Sequence, residues 1–115
     1  MKTLTNLIKL GSKVSVYVPA TVDVNKEVDN TEYVDKVASE LAEFFGGSTY
    51  TPAVGCWMSD TEGLVRERTT VVYAYATEAD LNTHIEDVIN LCEWIKEEMK
   101  QEAVSLEVNG ELYFI

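Results

Sequence analysis

Three side chains in this sequence could serve as soft metal ligands or as a nucleophile and its base: Cys56, His84 and Cys92. None stands in a ligand pair such as C-x₂-C or H-x₃-H, so no metal site is expected and no cofactor is implied. A thiol or hydroxyl nucleophile would need His84 as its base, and that histidine falls in a different element from Cys56. No catalytic residue is assigned on this basis. Cys92 lies on an apolar helical stripe and reads as a small core residue, while His84 flanks that stripe at the solvent edge. Two distant cysteines are expected to be buried free thiols rather than a disulfide framework. Gly46-Gly47 lacks the Gly-Lys-Ser/Thr continuation of a phosphate loop and reads instead as a helix stop.

Carboxylates are the commonest reactive groups, 20 against nine Lys and Arg in 115 residues, for a net charge of −11. Among so many acids some pair always has the spacing of a general acid and base, and solvated charge is the ordinary reading. They concentrate between Thr77 and Gln101, where seven acids face Lys96 and Lys100 for a net −5, or −6 with Glu102. Glu86, Glu93 and Glu97, helped by Asp87 and Glu98, line one edge of the helix predicted there. Carboxylates four residues apart on a helix rise about 6 Å, close to the phosphate spacing of a single strand. Such an edge repels nucleic acid and anionic membrane and attracts basic proteins. The scattered lysines and arginines form no basic stripe, so direct nucleic-acid binding is not expected.

A second candidate is aromatic. Val14, Val16 and Val18 alternate with Lys13, Ser15 and Tyr17, the period of a half-buried strand, which sends Tyr17 away from the core. Trp57 alternates in the same way against Cys56 and Met58, and Tyr73 and Tyr75 extend the set. An aromatic sheet face without a helix over it calls for a second protomer or a ligand. Homodimer packing is the simpler reading. Its rival is a small-molecule site of Tyr17, Trp57, Arg66 and Tyr73. Arg66 and Arg68 are expected either to pair with nearby carboxylates or to bind an anion.

The elements that must position these groups follow from pattern. After residues 1–12, an N-terminal arm or a short strand, Lys13 to Val18 forms the first strand, with Val22 and Val24 adding a short extended piece. Asp29 with Glu32 has capping-box form, and Tyr33, Val34, Val37, Leu41, Phe44 and Phe45 then recur at helical spacing. Ser48 to Met58 and Leu64 to Ala76 read as a long hairpin, with Pro52 at a bulge or edge position. The second helix opens at Thr77 and turns Leu81, Ile85, Val88, Cys92, Ile95 and Met99 inward. A separate coiled-coil dimer fits this heptad too, but an otherwise uncovered sheet makes better use of the stripe. Asn109-Gly110 joins a last hairpin, Ala103 to Val108 and Glu111 to Ile115.

That order, βαββαβ with one extra C-terminal strand, specifies a single α+β domain over residues 1–115. The expected fold is a ferredoxin-like sandwich, an antiparallel sheet with two helices on one face. No stretch of 18 apolar residues occurs and the N-terminus lacks a signal-peptide pattern, so a cytoplasmic protein without membrane contact is expected.

Gly55-Cys56-Trp57, Gly63, Glu67, the run Thr69 to Tyr75 and Gln101-Glu102-Ala103 resemble a family of small uncharacterised proteins encoded by phages, plasmids and integrative elements of Gram-positive bacteria. The resemblance covers most of the chain after Lys13, and its motifs are structural rather than catalytic. It implies a mobile-element accessory role, a class in which some small acidic proteins inhibit CRISPR nucleases or restriction enzymes. The leading expectation is therefore a non-enzymatic acidic domain that occupies a basic nucleic-acid-binding surface of a host defence enzyme. The alternatives are a dimeric small-molecule binder or enzyme using the aromatic face, and a structural or assembly subunit.

Overall fold

The computed structural model describes residues 2–22 and 26–115. Nine elements follow one another: β1 (Ser12–Pro19), β2 (Thr21–Val22), β3 (Lys26–Glu27), α1 (Thr31–Phe45), β4 (Thr49–Ser59), β5 (Gly63–Ala76), α2 (Glu78–Glu98), β6 (Ser105–Val108) and β7 (Glu111–Phe114). A short 3₁₀ turn, Leu4–Asn6, precedes them. Five strands form one sheet in the order β4-β5-β1-β6-β7, and every neighbouring pair is antiparallel. This is the ferredoxin-like arrangement with β7 added outside β6. β2 and β3 pair separately. Val24 lies outside the described residues.

β1 lies between β5 and β6, and its alternation turns one face to the core. Val14, Val16 and Val18 are wholly buried, and β5 places Val72 and Ala74 beside them through the pairs Val14↔Ala74 and Val16↔Val72. Val34, Val37, Leu41 and Phe45 of α1 and Leu81, Val88, Leu91, Cys92 and Ile95 of α2 close over that face, with Met99, Val104 and Leu106. Both helices thus lie on one side. Leu91 was not expected inside. The heptad count takes only the narrow seam, whereas a helix over a sheet buries a wider stripe.

Local chemistry sets the ends. α1 begins after Asp29, whose carboxylate accepts from the hydroxyl and the backbone N–H of Thr31 and is held below its ordinary range by those two bonds, the hydroxyl first. Asn30 ties this end to the sheet, donating to the carbonyls of Val18 and Pro19 at 3.3 Å. Gly46, at φ +93°, stops the helix in the left-handed conformation that glycine adopts without strain. Thr77 caps α2 by accepting from the Asp80 N–H at 3.1 Å. Asn109 and Gly110 both have positive φ, the form a two-residue hairpin turn prefers.

Three expectations are refined. Leu7 to Leu10 forms no strand, and residues 2–11 are an exposed arm. Pro52 causes no bulge: the β4–β5 register is unbroken from Thr49↔Tyr73 to Ser59↔Gly63, and Pro52 is tolerated because β4 is an edge strand. Cys56 is exposed rather than buried.

Because Leu41 is wholly enclosed, Leu41→Ala should lower unfolding free energy by about 2–5 kcal/mol. Glu86→Gln on the exposed side of α2 should change it by less than about 0.5 kcal/mol. Urea unfolding followed by circular dichroism measures both.

Candidate functional site

The acidic edge of α2 is where the pattern placed it. Glu86, Asp87, Glu93, Glu97 and Glu98 are all exposed. Among the described residues, only Asp87 of these five has a specific side-chain partner, His84 Nδ1 at 3.0 Å. His84 in turn stacks on Phe44 with ring centroids 4.8 Å apart and meets the edge of Phe45 at 5.9 Å. It therefore helps join the two helices and serves no nucleophile. Burial pushes the Cys92 thiol up to about 12, with the Glu93 carboxylate adding to the shift, so Cys92 does not ionise at neutral pH. Among the described residues no group of His, Cys, Asp and Glu is placed to hold a metal ion.

The aromatic set does not converge. Register puts Tyr17, Trp57 and Tyr73 on the outer sheet face, through the pairs Tyr17↔Val71, Trp57↔Val65 and Thr49↔Tyr73. Eight residues of β4 separate the level of Tyr73 from Trp57, roughly 26 Å at 3.3 Å per residue. Tyr73 is engaged instead by Lys13, whose Nζ lies 4.8 Å from its ring centre, and by the edge of Tyr75. Arg66 is a correction: it pairs with Cys56 and so lies on the helix side of the hairpin, not on the aromatic face. β5 is apolar on both faces, which left its register open to the pattern. Neither Arg66 nor Arg68 has an ion pair among the described residues.

What the structure does bring together is a cleft at the end of the outer face where β1 stops. It has a volume of about 210 Å³, and Tyr17, Pro19, Gly55, Glu67, Gln101 and Ser105 are among its walls. A smaller hollow of about 160 Å³ adjoins it and shares Thr21, Glu67, Gln101 and Ala103. Glu67 is half-buried and pairs with Gly55 across the ladder, so β4 sets no side chain opposite it. Trp57 stands two residues along from Gly55 on the same face. Gln101 fastens the far wall by donating to the Thr21 carbonyl at 2.6 Å and the Met99 carbonyl at 2.9 Å. The turn that delivers it ends α2 with Lys100 at φ 53° and a Gln101 N–H bond to the Lys96 carbonyl. A lysine holds there the left-handed position that glycine usually takes.

Gly55, Glu67, Gln101 and Ala103 were noted in the sequence only as points of resemblance. Their meeting in one cleft was beyond pattern, because it depends on where β1 ends and where the α2 turn returns the chain. The useful signal was a lone acid opposite a glycine in a strand otherwise rich in Thr, Val and Tyr.

The fold defines a ferredoxin-like α+β protein with an open cleft on its helix-free face. Two solved structures share this fold along nearly the whole chain. A phage SAM lyase in complex with S-methyl-5'-thioadenosine aligns over 99% of this chain and 95% of its own, with a TM-score of 0.67 at 19% identity. A phage SAM lyase in the apo state aligns over 95% and 94%, with a TM-score of 0.61 at 19% identity. CutA from Synechococcus elongatus aligns over 89% and 78%, with a TM-score of 0.50 at 12% identity. No protein-family model matches the chain, and no curated protein matches it by sequence.

These likenesses establish the fold and agree with the phage-related resemblance. They overturn the expectation of a non-enzymatic acidic inhibitor docking on a basic defence enzyme: the first two neighbours are an enzyme, and nothing supports an acidic protein-binding role. The carboxylates named on α2 face solvent. Among the described residues no helix is long and apolar enough to cross a membrane.

Cys92 gives a direct check on the exclusion of thiol chemistry. In a Cys56→Ser variant, a thiol reagent should find nothing in the native protein and one equivalent after urea unfolding. The stabilising effect of keeping this thiol neutral is complete below its ordinary value near 9 and is lost as pH rises toward about 12. Native stability should accordingly fall across that alkaline window, and less in Cys92→Ala.

Proposed function

We propose that this chain is a small cytoplasmic enzyme that binds an adenosyl sulfonium compound of the S-adenosylmethionine type in the Glu67 cleft and cleaves it as a lyase. The observation that carries the reading is Glu67, a half-buried acid on the cleft wall, paired across the ladder with Gly55. Support comes from a fold shared end to end with a lyase that binds S-methyl-5'-thioadenosine. The charge of −11 fits as well, since S-adenosylmethionine is a net cation at neutral pH and an acidic surface concentrates it.

The chemistry asks little of the protein. The carbon–sulfur bond to the amino-acid chain breaks, its electron pair stays on sulfur, and the neutral thioether S-methyl-5'-thioadenosine leaves. The substrate's own carboxylate forms the new carbon–oxygen bond at the carbon released, closing a five-membered lactone without water. Opposite charges cancel along this path, so a poorly hydrated site with fixed dipoles favours it over bulk water. Glu67 is placed to accept from the ribose hydroxyls or the α-ammonium and so to hold the substrate folded for ring closure. Tyr17 on the cleft wall offers a ring face for the adenine.

Incubation of the protein with S-adenosylmethionine, followed by chromatography, should show S-methyl-5'-thioadenosine and homoserine lactone appearing together. Glu67→Gln should lower kcat/KM by roughly 10- to 100-fold, the worth of a charge-assisted hydrogen bond. A Glu86→Gln/Glu93→Gln/Glu97→Gln variant should react as the parent does. Homoserine as the first product would mean attack by water rather than by the substrate's own carboxylate, and no turnover with no binding of either nucleoside would overturn the reading.

A further inference from the structure

β1 ends at the pair Pro19↔Thr69, but β4 and β5 continue paired to Ser59↔Gly63. Beyond that level the hairpin is a two-stranded tongue with no third strand, and its helix-side face carries Val54, Cys56, Met58, Leu64, Arg66 and Arg68. Val54 is 60% exposed and Met58 72% exposed. An isolated two-stranded ladder is marginal in water, and apolar residues on its bare face make it more so.

The size of the molecule gives the same message. Its accessible surface is 7784 Å² for 12.9 kDa, where a compact monomer of that mass exposes about 6,300 Å². Its radius of gyration is 15.7 Å, against about 13.3 Å for a compact domain of this length. The surplus over a compact monomer is roughly 1,500 Å², and the extended tongue and the exposed arm are the parts that depart from a compact shape.

We infer that a second copy of this chain covers the helix-side face of the hairpin. Charge selects the occupant. Arg66 and Arg68, without an ion pair among the described residues, put two cations on the tongue of a chain whose net charge is −11, so the body of another copy is its natural counter-surface. That body also offers apolar ground: Leu112 and Phe114 on the outer face of β7 are 53% and 72% exposed, with Glu107 opposite Leu112 on the same face. The inference does not depend on the lyase reading, and its test does not use the nucleoside.

Sedimentation of this 115-residue chain should give a multiple of 12.9 kDa. Met58→Glu/Leu64→Glu should sediment as the monomer, and Arg66→Glu/Arg68→Glu should weaken assembly at least about tenfold, the effect of opposing charges at an interface. Cys56 of the parent should label slowly when concentrated and rapidly on dilution. A monomer at every concentration overturns the inference, whether Cys56 is reactive, leaving the face bare or for another protein, or protected, which places the N-terminal arm of the same chain over it. An oligomer indifferent to all four substitutions, with Cys56 equally reactive at all concentrations, overturns it as well. Should the glutamate pair at residues 58 and 64 fail to fold, the arginine variant and the labelling of the parent decide.

Discussion

The burial of three valines on one face of β1 is the constraint from which the rest of the architecture follows. Val14, Val16 and Val18 are fully enclosed, and each lost methylene there would cost about 1 kcal/mol or more. With β5 and β6 on either side, β1 can be covered only from above, and α1 and α2 both take that side. The opposite face is left with Tyr17, Glu67, Tyr73 and Tyr75 and no layer over them. Because β1 is eight residues long and β5 fourteen, the sheet also outruns its central strand.

That mismatch in length builds the cleft. Where β1 stops, the chain returning from α2 fills part of the gap through Gln101 and its bonds to Thr21 and Met99, and the remainder stays open beneath Glu67. Rigid strands supply one wall and a hydrogen-bonded turn the other. An irregular turn closing against a strand end is a common way to hold a small ligand on an α+β scaffold, since the strands fix position and the turn fixes shape.

Most of the fold was legible in the amino-acid order. Period-two valines marked β1, Asp29 and Thr77 marked the helix starts, Gly46 and Asn109-Gly110 marked a stop and a turn, and their succession specified the sandwich. Less of the site could be read. Alternation placed Tyr17, Trp57 and Tyr73 on one face correctly but says nothing of separation along a strand, so residues more than 20 Å apart read as one group. Arg66 was misplaced because β5 is apolar on both sides and its register is set by pairing with β4. Glu67 was hidden among twenty acids, and only the strand opposite, with Gly55, distinguishes it.

In the proposed reading the acidic surface would suit a small cationic substrate, and the Glu67 cleft would hold it. Titration of isotope-labelled protein with S-methyl-5'-thioadenosine, followed by amide chemical shifts, tests this most directly. The account requires the largest shifts at Tyr17, Gly55, Glu67 and residues 101–105, with the amides of Glu86, Glu93 and Glu97 unmoved. Shifts confined to α2, or none at saturating nucleoside, would contradict it.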